Sequence, residues 1–306
     1  MIPDAKTELT VIVLTYNRCR ETLHTLDILS KASLPNSTIM VVDNASSDGT
    51  RQAVREQFPE VSVISLPINV GISGWDYGVL NTESEYVLLL DDDCAPDADA
   101  VPRVLAHFRE DPNLGVLPLN IYGGAFSTED WASVEPAQLV GFINCAVGLR
   151  RSAMIEAGLN DPDFFLYANE WDLTIRILAK GYGIAFDPQI RANHRAPKQF
   201  RSARRVRTLS TRNETWMVLK YFPPAVWPRL IARVFLWNAF GSARFEPGAT
   251  LQGLAAALVR LRRAYSRRQA VPQALLRRYE DHFWSFRPFL PRAWHATKKR
   301  LFPAPA

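Results

Sequence analysis

Cysteine, histidine and long apolar runs are all scarce in this chain of 306 residues. The three cysteines, Cys19, Cys94 and Cys145, are odd in number, far apart and without metal-ligand spacing. That favours a reducing compartment over a disulfide framework, with the cytoplasm as the default. Charge interrupts every apolar run well before the roughly 20 residues that a bilayer-spanning helix needs. The opening "MIPDAKTELTVIVLTYN" has no basic leader segment, and its apolar run is too late and too brief for a signal peptide. These absences predict a soluble or peripheral protein. There is no internal repeat and no low-complexity tract.

Acidic residues are missing from one region in particular. Residues 195–306 hold 23 Lys+Arg and 4 Asp+Glu, a balance of +19. Residues 1–194 hold 13 and 27, a balance of −14, and the two sum to the net +5. A basic C-terminal region favours an anionic partner: a phosphorylated ligand, an acidic lipid surface or nucleic acid.

What is present is the composition of a globular protein, 47% hydrophobic and 22% charged, enough for one large domain or two smaller ones. Over the first 120 residues, short β-rich runs ("ELTVIVLTY", "STIMVVD", "VSVISLP", "EYVLLLD", "LGVLPLN") alternate with helical segments at 20–33, 48–57, 74–83 and 97–109. This is the sequence form of a mostly parallel α/β sheet covered by helices, with strands apolar on both faces. "DNASSDGT" supplies N-capping candidates for the second helix. Residues 120–145 lose the alternation, and a loop there follows Gly123 and Gly124. A further helix is predicted over 169–180, with Trp171, Ile175 and Leu178 at helical spacing and Gly181 as its stop. Beyond residue 200 the chain is helical in character, Arg-rich and punctuated by prolines. "LQGLAAALVRLRRAYSRR" (251–268) reads as one basic amphipathic helix; packing within its own domain is favoured over contact with a membrane surface. The organisation expected is 1–119 as one half of an α/β domain, 120–200 as its other half, and 201–306 as a basic helical region.

In open parallel sheets, ligands bind beyond the carboxyl ends of the strands. Two acidic groups fall at such ends: Asp43, and the triplet Asp91, Asp92 and Asp93. Three adjacent carboxylates repel one another and are expensive near a sheet end unless a cation offsets them. A hard divalent ion, Mg²⁺ or Mn²⁺ shared with substrate phosphates, suits the arrangement. The alternative is that one aspartate caps the next helix while the others are solvated.

The neighbouring motifs decide between these. "VIVLTYNR" (11–18), "VVDNASSDGT" (41–50), "NVGISG" (69–74), "LLLDDDCAPD" (88–97), the run 141–182 and "NH" (193–194) resemble, in order and spacing, the family 2 nucleotide-sugar glycosyltransferases with the A-type catalytic fold. "DFFLY" before the acidic helix and "RNETWMVLKYFPP" after the histidine resemble the rhamnosyltransferase-like bacterial branch.

The resemblance implies roles residue by residue. Thr15, Tyr16 and Asn17 would touch the nucleoside, and Asp43 the base or ribose. Asn69 and Gly71 open the Gly-rich stretch of the nucleotide-sugar site, and Asp91 and Asp92 line its ribose and diphosphate side. Asp93 would coordinate the metal, with His194 beside the metal or the diphosphate. Glu170 and Asp172 are the catalytic carboxylates. The family's usual Glu-Asp-x-Asp reads here Asn169-Glu170-Trp171-Asp172, so Glu170 stands in the place usually taken by the general base. Carboxylates in a first helical turn also complement the helix dipole, which accounts equally for one of the pair. A second departure lies after Asn69, where "GISGWDYGV" is one residue shorter than usual and brings in Trp75. Arg204 and Arg212 are candidates for a second clamp on the diphosphate.

The chemistry implied is metal-dependent displacement, with inversion, of a UDP- or dTDP-type donor's sugar onto a hydroxyl acceptor. That acceptor would be a polysaccharide or glycolipid intermediate, lipid-linked ones included, or a natural product. Peripheral contact with the inner face of a membrane is compatible with the basic C-terminus. Nucleic acid is not expected, because no binding motif interleaves aromatics with the arginines. A nucleotidyltransferase and an inactive sugar-nucleotide-binding relative are the rival readings. "TYNRCRE" is not the Gly-rich basic loop that the first normally requires. The sequence does not specify an oligomeric state.

Overall fold

The computed structural model describes residues 7–123, 128, 139–195, 202–240 and 247–283. The chain divides into two compact units, Met1–Phe165 with Asn169–Pro197, and Leu166–Ala168 with Lys198–Ala306.

In the first unit, β1 (Leu9–Thr15), β2 (Ser37–Asp43), β3 (Ser62–Ser65) and β4 (Tyr86–Asp91) alternate with α1 (Cys19–Lys31), α2 (Thr50–Gln57) and α3 (Gly74–Leu80). These are four of the five strands and three of the helices expected from the apolar runs. They are followed by β5 (Cys94–Pro96), α4 (Ala100–Glu110), β6 (Leu114–Pro118) and β7 (Asn120–Tyr122). The unit ends with β8 (Ala146–Arg150), α5 (Arg151–Glu156), α6 (Asn169–Ala179), β9 (Gly183–Ile184) and β10 (Arg191–His194). The main sheet runs β3-β2-β1-β4-β8-β6-β9, and a small sheet runs β5-β10-β7. Pairings from β3 across to β4 are parallel, and β8 lies antiparallel to both β4 and β6. This is the mixed α/β, mostly parallel architecture that the sequence predicts.

The order of the strands creates the site. From β1 the chain winds outward to β2 and β3, then returns to lay β4 on the other side of β1. Such a reversal leaves a crevice beyond the carboxyl ends, where the helices on either side depart from one another. The register aligns Thr15 with Asp43 and Leu14 with Asp91, so three of the predicted site positions end side by side.

Burial on both faces explains the apolar strands. Val11, Val13, Val41, Leu88 and Leu90 face a core shared with Leu26 and Leu29 of α1 and Val104, Leu105 and Phe108 of α4. The other face is covered by α3, where Gly78 lets the helix approach so closely that an added Cβ would lie 2.6 Å from Ile12 Cγ2. Trp75, of the unusual stretch after Asn69, is buried there, and its indole N–H donates to Leu90 O at 3.3 Å.

In the second unit, α7 (Ala203–Tyr221) is capped by Ser202, whose hydroxyl accepts from Arg205 N. It packs with α8 (Trp227–Phe240), α9 (Pro247–Val259) and α10 (Leu261–Ser266), and α11 (Gln273–Phe283) follows. The predicted helix 251–268 is two helices, broken at Arg260, which takes a non-helical conformation between them. Asn213 of α7 donates to the carbonyls of Leu166 and Tyr167 at 2.8 and 2.7 Å. The "RNETW" and "DFFLY" segments, which carry the resemblance to one bacterial branch, are therefore in direct contact. Tyr167 and Ala168 have φ of 68° and 57°, and Phe165 of the first unit has 61°.

Gly71 has φ +64°, and a Cβ there would fall well inside the contact distance of the Phe165 carbonyl, backbone that cannot swing away. Ile72 N donates to that same carbonyl at 2.7 Å. Gly71→Ala combines left-handed strain with overpacking and should cost about 3 kcal/mol. Urea denaturation of the two proteins measures the difference.

Candidate active site

Two loops form the floor of the site. Asn17, with φ 53°, receives Ser47 N on its Oδ1 at 2.7 Å and donates its own N–H to Ser46 Oγ at 2.9 Å. Asp43 is buried, and its Oδ1 accepts from Ser46 N at 3.0 Å. The loops after β1 and β2 are thereby fixed to each other. Asn44 extends the tie to the Gly-rich stretch, donating to Gly71 O and accepting from Val70 N, both at 2.9 Å. Asn69 Oδ1 accepts from Gly71 N at 2.8 Å, closing a side-chain turn. Thr15 is buried with its hydroxyl 2.7 Å from that of Thr22, while Tyr16 is exposed, free to stack on a ligand. The capping expected from "DNASSDGT" comes from Asp48, whose Oδ1 accepts from Thr50 N at 3.1 Å, while Gly49 takes the N-cap position at φ 84°.

The aspartate triplet lies at the end of β4, and β5 separates it from α4, so none of the three caps that helix. Asp91 is partly exposed; Asp92 and Asp93 are buried. Opposite charge comes from the protein itself. Arg18 Nη1 donates to Asp92 Oδ1 at 2.8 Å and to Asp93 Oδ2 at 2.7 Å. His194 Nε2 lies 3.3 Å from Asp93 Oδ1, because the antiparallel β10–β5 register sets His194 opposite Cys94. Thr25 Oγ1 and Arg195 Nη2 both donate to Asp92 O, at 2.6 and 3.1 Å, and Arg195 N donates to Asp93 O at 3.0 Å. The turn is held through its carbonyls as well as its carboxylates.

These surroundings separate the acids electrically. Burial and the negative charge of Asp93 push Asp91 well above the ordinary carboxylate range. Burial also raises Asp92, and the charge and hydrogen bond of Arg18 limit it to about 6. For Asp93, burial is outweighed by the His194 hydrogen bond and Arg18, which hold it well below the usual range. His194 is lifted to about 10, its hydrogen bonds to Asp93 and Cys145 overcoming burial.

Among the described residues, Asp91, Asp93 and His194 can each offer one ligand atom, and all three atoms lie within 4.8 Å of one another. Two carboxylate oxygens and an imidazole nitrogen at that spacing suit one divalent ion. The predicted ligands Asp93 and His194 are brought together, and Asp91 joins them.

The second acidic cluster is tied to the first through residues 144 and 145. Asp91 N donates to Cys145 O at 3.0 Å. Next to it, Asn144 Nδ2 donates to Glu170 Oε2 at 2.8 Å and to Asn169 Oδ1 at 2.9 Å, and Asn169 Nδ2 returns a bond to Asn144 Oδ1 at 3.1 Å. Glu170 keeps partial exposure in the first turn of α6. Asp172 does not: it is fully buried and paired with Arg176, whose Nη2 and Nε lie 2.8 and 3.1 Å from its Oδ2. Gly181 ends this helix region with φ 95°, as predicted.

Arg204 and Arg212 belong to the helical unit, where Arg204 Nη2 donates to Gln252 Oε1 at 3.2 Å and Arg212 stacks on Trp216 at 4.6 Å. The acceptor-side loop expected at 120–135 lies, apart from 120–123 and 128, outside the described residues. Arg18, Asn144 and Arg195 escaped the sequence reading. Only Arg18 left a trace, as an arginine three residues beyond β1 that closes the "VIVLTYNR" motif.

With this geometry in place, solved structures show which fold it has. The chain is similar to the mannosyltransferase PcManGT from Pyrobaculum calidifontis in complex with GDP-Man and Mn²⁺, with TM-score 0.60, 20% identity and coverage of 99% of this chain and 89% of that one. It is similar to S. aureus TarS 1-349 in complex with UDP-GlcNAc, with TM-score 0.58, 18% identity and coverage of 96% and 92%. These likenesses define the glycosyltransferase A-type fold. The Glycosyl transferase family 2 profile matches residues 10–173, more than half of the chain, which belongs to that family. Curated relatives include poly-beta-1,6-N-acetyl-D-glucosamine synthases of Staphylococcus aureus (strain COL), 24% identical over 201 residues, and of Staphylococcus epidermidis, 25% identical over 195. These alignments cover 59% and 57% of this chain, which spans about half the length of those relatives, 48% and 46%.

Removing Arg18 would leave two buried carboxylates short of their partner. Arg18→Gln should lower stability by about 3 kcal/mol, and adding Asp92→Asn should restore part of it. Urea denaturation of the single and double variants tests this; an unchanged midpoint for the single variant would show that Arg18 is not the counter-charge.

Asp76 on α3 gives a pH signature away from the metal-ligand group. Burial pushes its pKa up to about 7, although Asn160 donates to Oδ1 through N at 3.2 Å and Nδ2 at 2.6 Å. A carboxyl whose folded pKa lies above its unfolded value binds its proton more tightly when folded. Its presence therefore costs stability as pH rises from about 4 to 7. Asp76→Asn should match the wild type at pH 4 and exceed it by a few kcal/mol at pH 8, read from denaturation midpoints at both values.

Proposed function

We propose that the protein is a metal-dependent, inverting glycosyltransferase that moves a sugar from a nucleotide-diphosphate donor to a hydroxyl acceptor. The observation that carries this reading is the gathering of Asp91, Asp93 and His194 within 4.8 Å at the carboxyl end of β4, with Glu170 tied to the same segment through Asn144. Thr15, Tyr16, Asn17 and Asp43 would hold the nucleoside, and Asn69 and Gly71 would shape the loop beside it. Asp91, Asp93 and His194 would hold Mn²⁺ or Mg²⁺, which when bound offsets negative charge on the diphosphate.

The reaction is a single displacement. The acceptor oxygen forms a bond to the anomeric carbon as the carbon–oxygen bond to the diphosphate breaks, and the nucleoside diphosphate leaves. The acceptor proton passes to the Glu170 carboxylate. Glu170 suits this role because one of its oxygens is fixed by Asn144 while the side chain keeps access to solvent. Asp172, held by Arg176, would act as a positioning residue that anchors the start of α6. Asp92 would keep Arg18 beside the diphosphate side.

The donor proposed is a UDP- or dTDP-sugar. The acceptor is a hydroxyl of a glycan or lipid-linked intermediate, in keeping with relatives named for polysaccharide synthesis. The contact of Asn213 with the "DFFLY" segment supports a place in the rhamnosyltransferase-like branch.

Release of nucleotide from a panel of nucleotide sugars with Mg²⁺ or Mn²⁺ is the direct assay. Glu170→Gln should lower turnover by about 10²- to 10⁴-fold while donor affinity by calorimetry is retained. Asp93→Asn should instead weaken divalent-dependent donor binding by at least about tenfold. Donor binding with no turnover in the wild type would favour a binding-only relative, and exchange of pyrophosphate a nucleotidyltransferase.

A further inference from the structure

Helix α9 has no polar face. Ala249, Thr250, Gly253 and Ala257 are buried on the side packed against α7, where Trp216 Nε1 donates to Ala257 O at 3.1 Å. Gly253 permits the approach, since an added Cβ would lie 2.6 Å from Thr208 O. The opposite side carries Leu251, Ala255 and Leu258, spaced by four and three residues and so forming one stripe. A helix at a water-facing surface normally places polar residues there. Leu251 is instead 57% exposed, Leu258 64% and Val259 85%, and Leu261 and Tyr265 on α10 are exposed as well. Arg260, Arg262 and Arg263, at the junction of the helices, are exposed alongside them.

We infer that the outer face of α9 and α10 docks on an anionic phospholipid bilayer, with Leu251, Leu258, Val259 and Leu261 entering the acyl boundary and the three arginines meeting lipid phosphates. Charge argues for this occupant. Residues 195–306 carry +19, so a second copy on the same face would bring like charges together. A nucleic acid would pair with the arginines but gives the exposed leucines nothing to contact.

Co-sedimentation of the full chain with vesicles tests the inference without any sugar donor, so its failure is separate from failure of the proposed reaction. Binding is expected to vesicles containing one quarter phosphatidylglycerol, to weaken with added salt, and to be absent with pure phosphatidylcholine. Neutralising the junction (R260Q, R262Q, R263Q) should weaken binding about a hundredfold, at roughly fivefold per arginine. Leu258→Ser with Val259→Ser should weaken it at least about tenfold at unchanged charge. Circular dichroism should show both variants folded, as expected for exposed positions. No binding to anionic vesicles would overturn the inference. So would serine variants that bind like the wild type, which would leave only an electrostatic patch for an acidic polymer. A wild-type dimer in sedimentation velocity that the serine changes disperse would assign the face to a second copy instead.

Discussion

Everything at the carboxyl edge of the sheet depends on charge neutralisation around Asp92 and Asp93. Two carboxylates buried next to each other would otherwise give up their charge or unfold the turn that carries them. Arg18 spans both, and His194 approaches the second from a different strand. The sequence invites the view that only a bound cation could make such a triplet tolerable. The fold instead contributes its own positive groups, so the acids can be assembled during folding.

This arrangement sets different electrostatic tasks for neighbouring residues. Asp93, the best-compensated acid, remains ionised and suits a ligand role, whereas Asp92 is committed to Arg18. Asp172 and Glu170 divide in the same way, one buried on Arg176 and the other partly exposed on Asn144. Residues 144 and 145 join the clusters, because Cys145 lies across from Asp91 where β8 begins its antiparallel run beside β4.

The parallel half of the sheet was legible in the sequence because strands buried on both faces are written as unbroken apolar runs, and the helices between them keep their own period. The strand-end acids were legible for the same reason, since each run stops at its aspartate. The small sheet was not. β5, β7 and β10 are three or four residues long and exist through pairing with segments about 70 to 100 residues away. Arg18 was illegible as a counter-charge for a similar reason: its partners lie 74 and 75 residues downstream. The single helix read over 251–268 failed at Arg260, where the chain turns without a glycine or proline to announce it.

The segment just before α6 spends three residues, Phe165, Tyr167 and Ala168, in a backbone basin that L-amino acids avoid. Its carbonyls, at Phe165, Leu166 and Tyr167, are what the neighbouring donors recognise. Valine, isoleucine or threonine at these three positions would be strained whatever their size, because β-branched side chains tolerate inverted torsions poorly. What the neighbouring donors read here is the direction of the main chain.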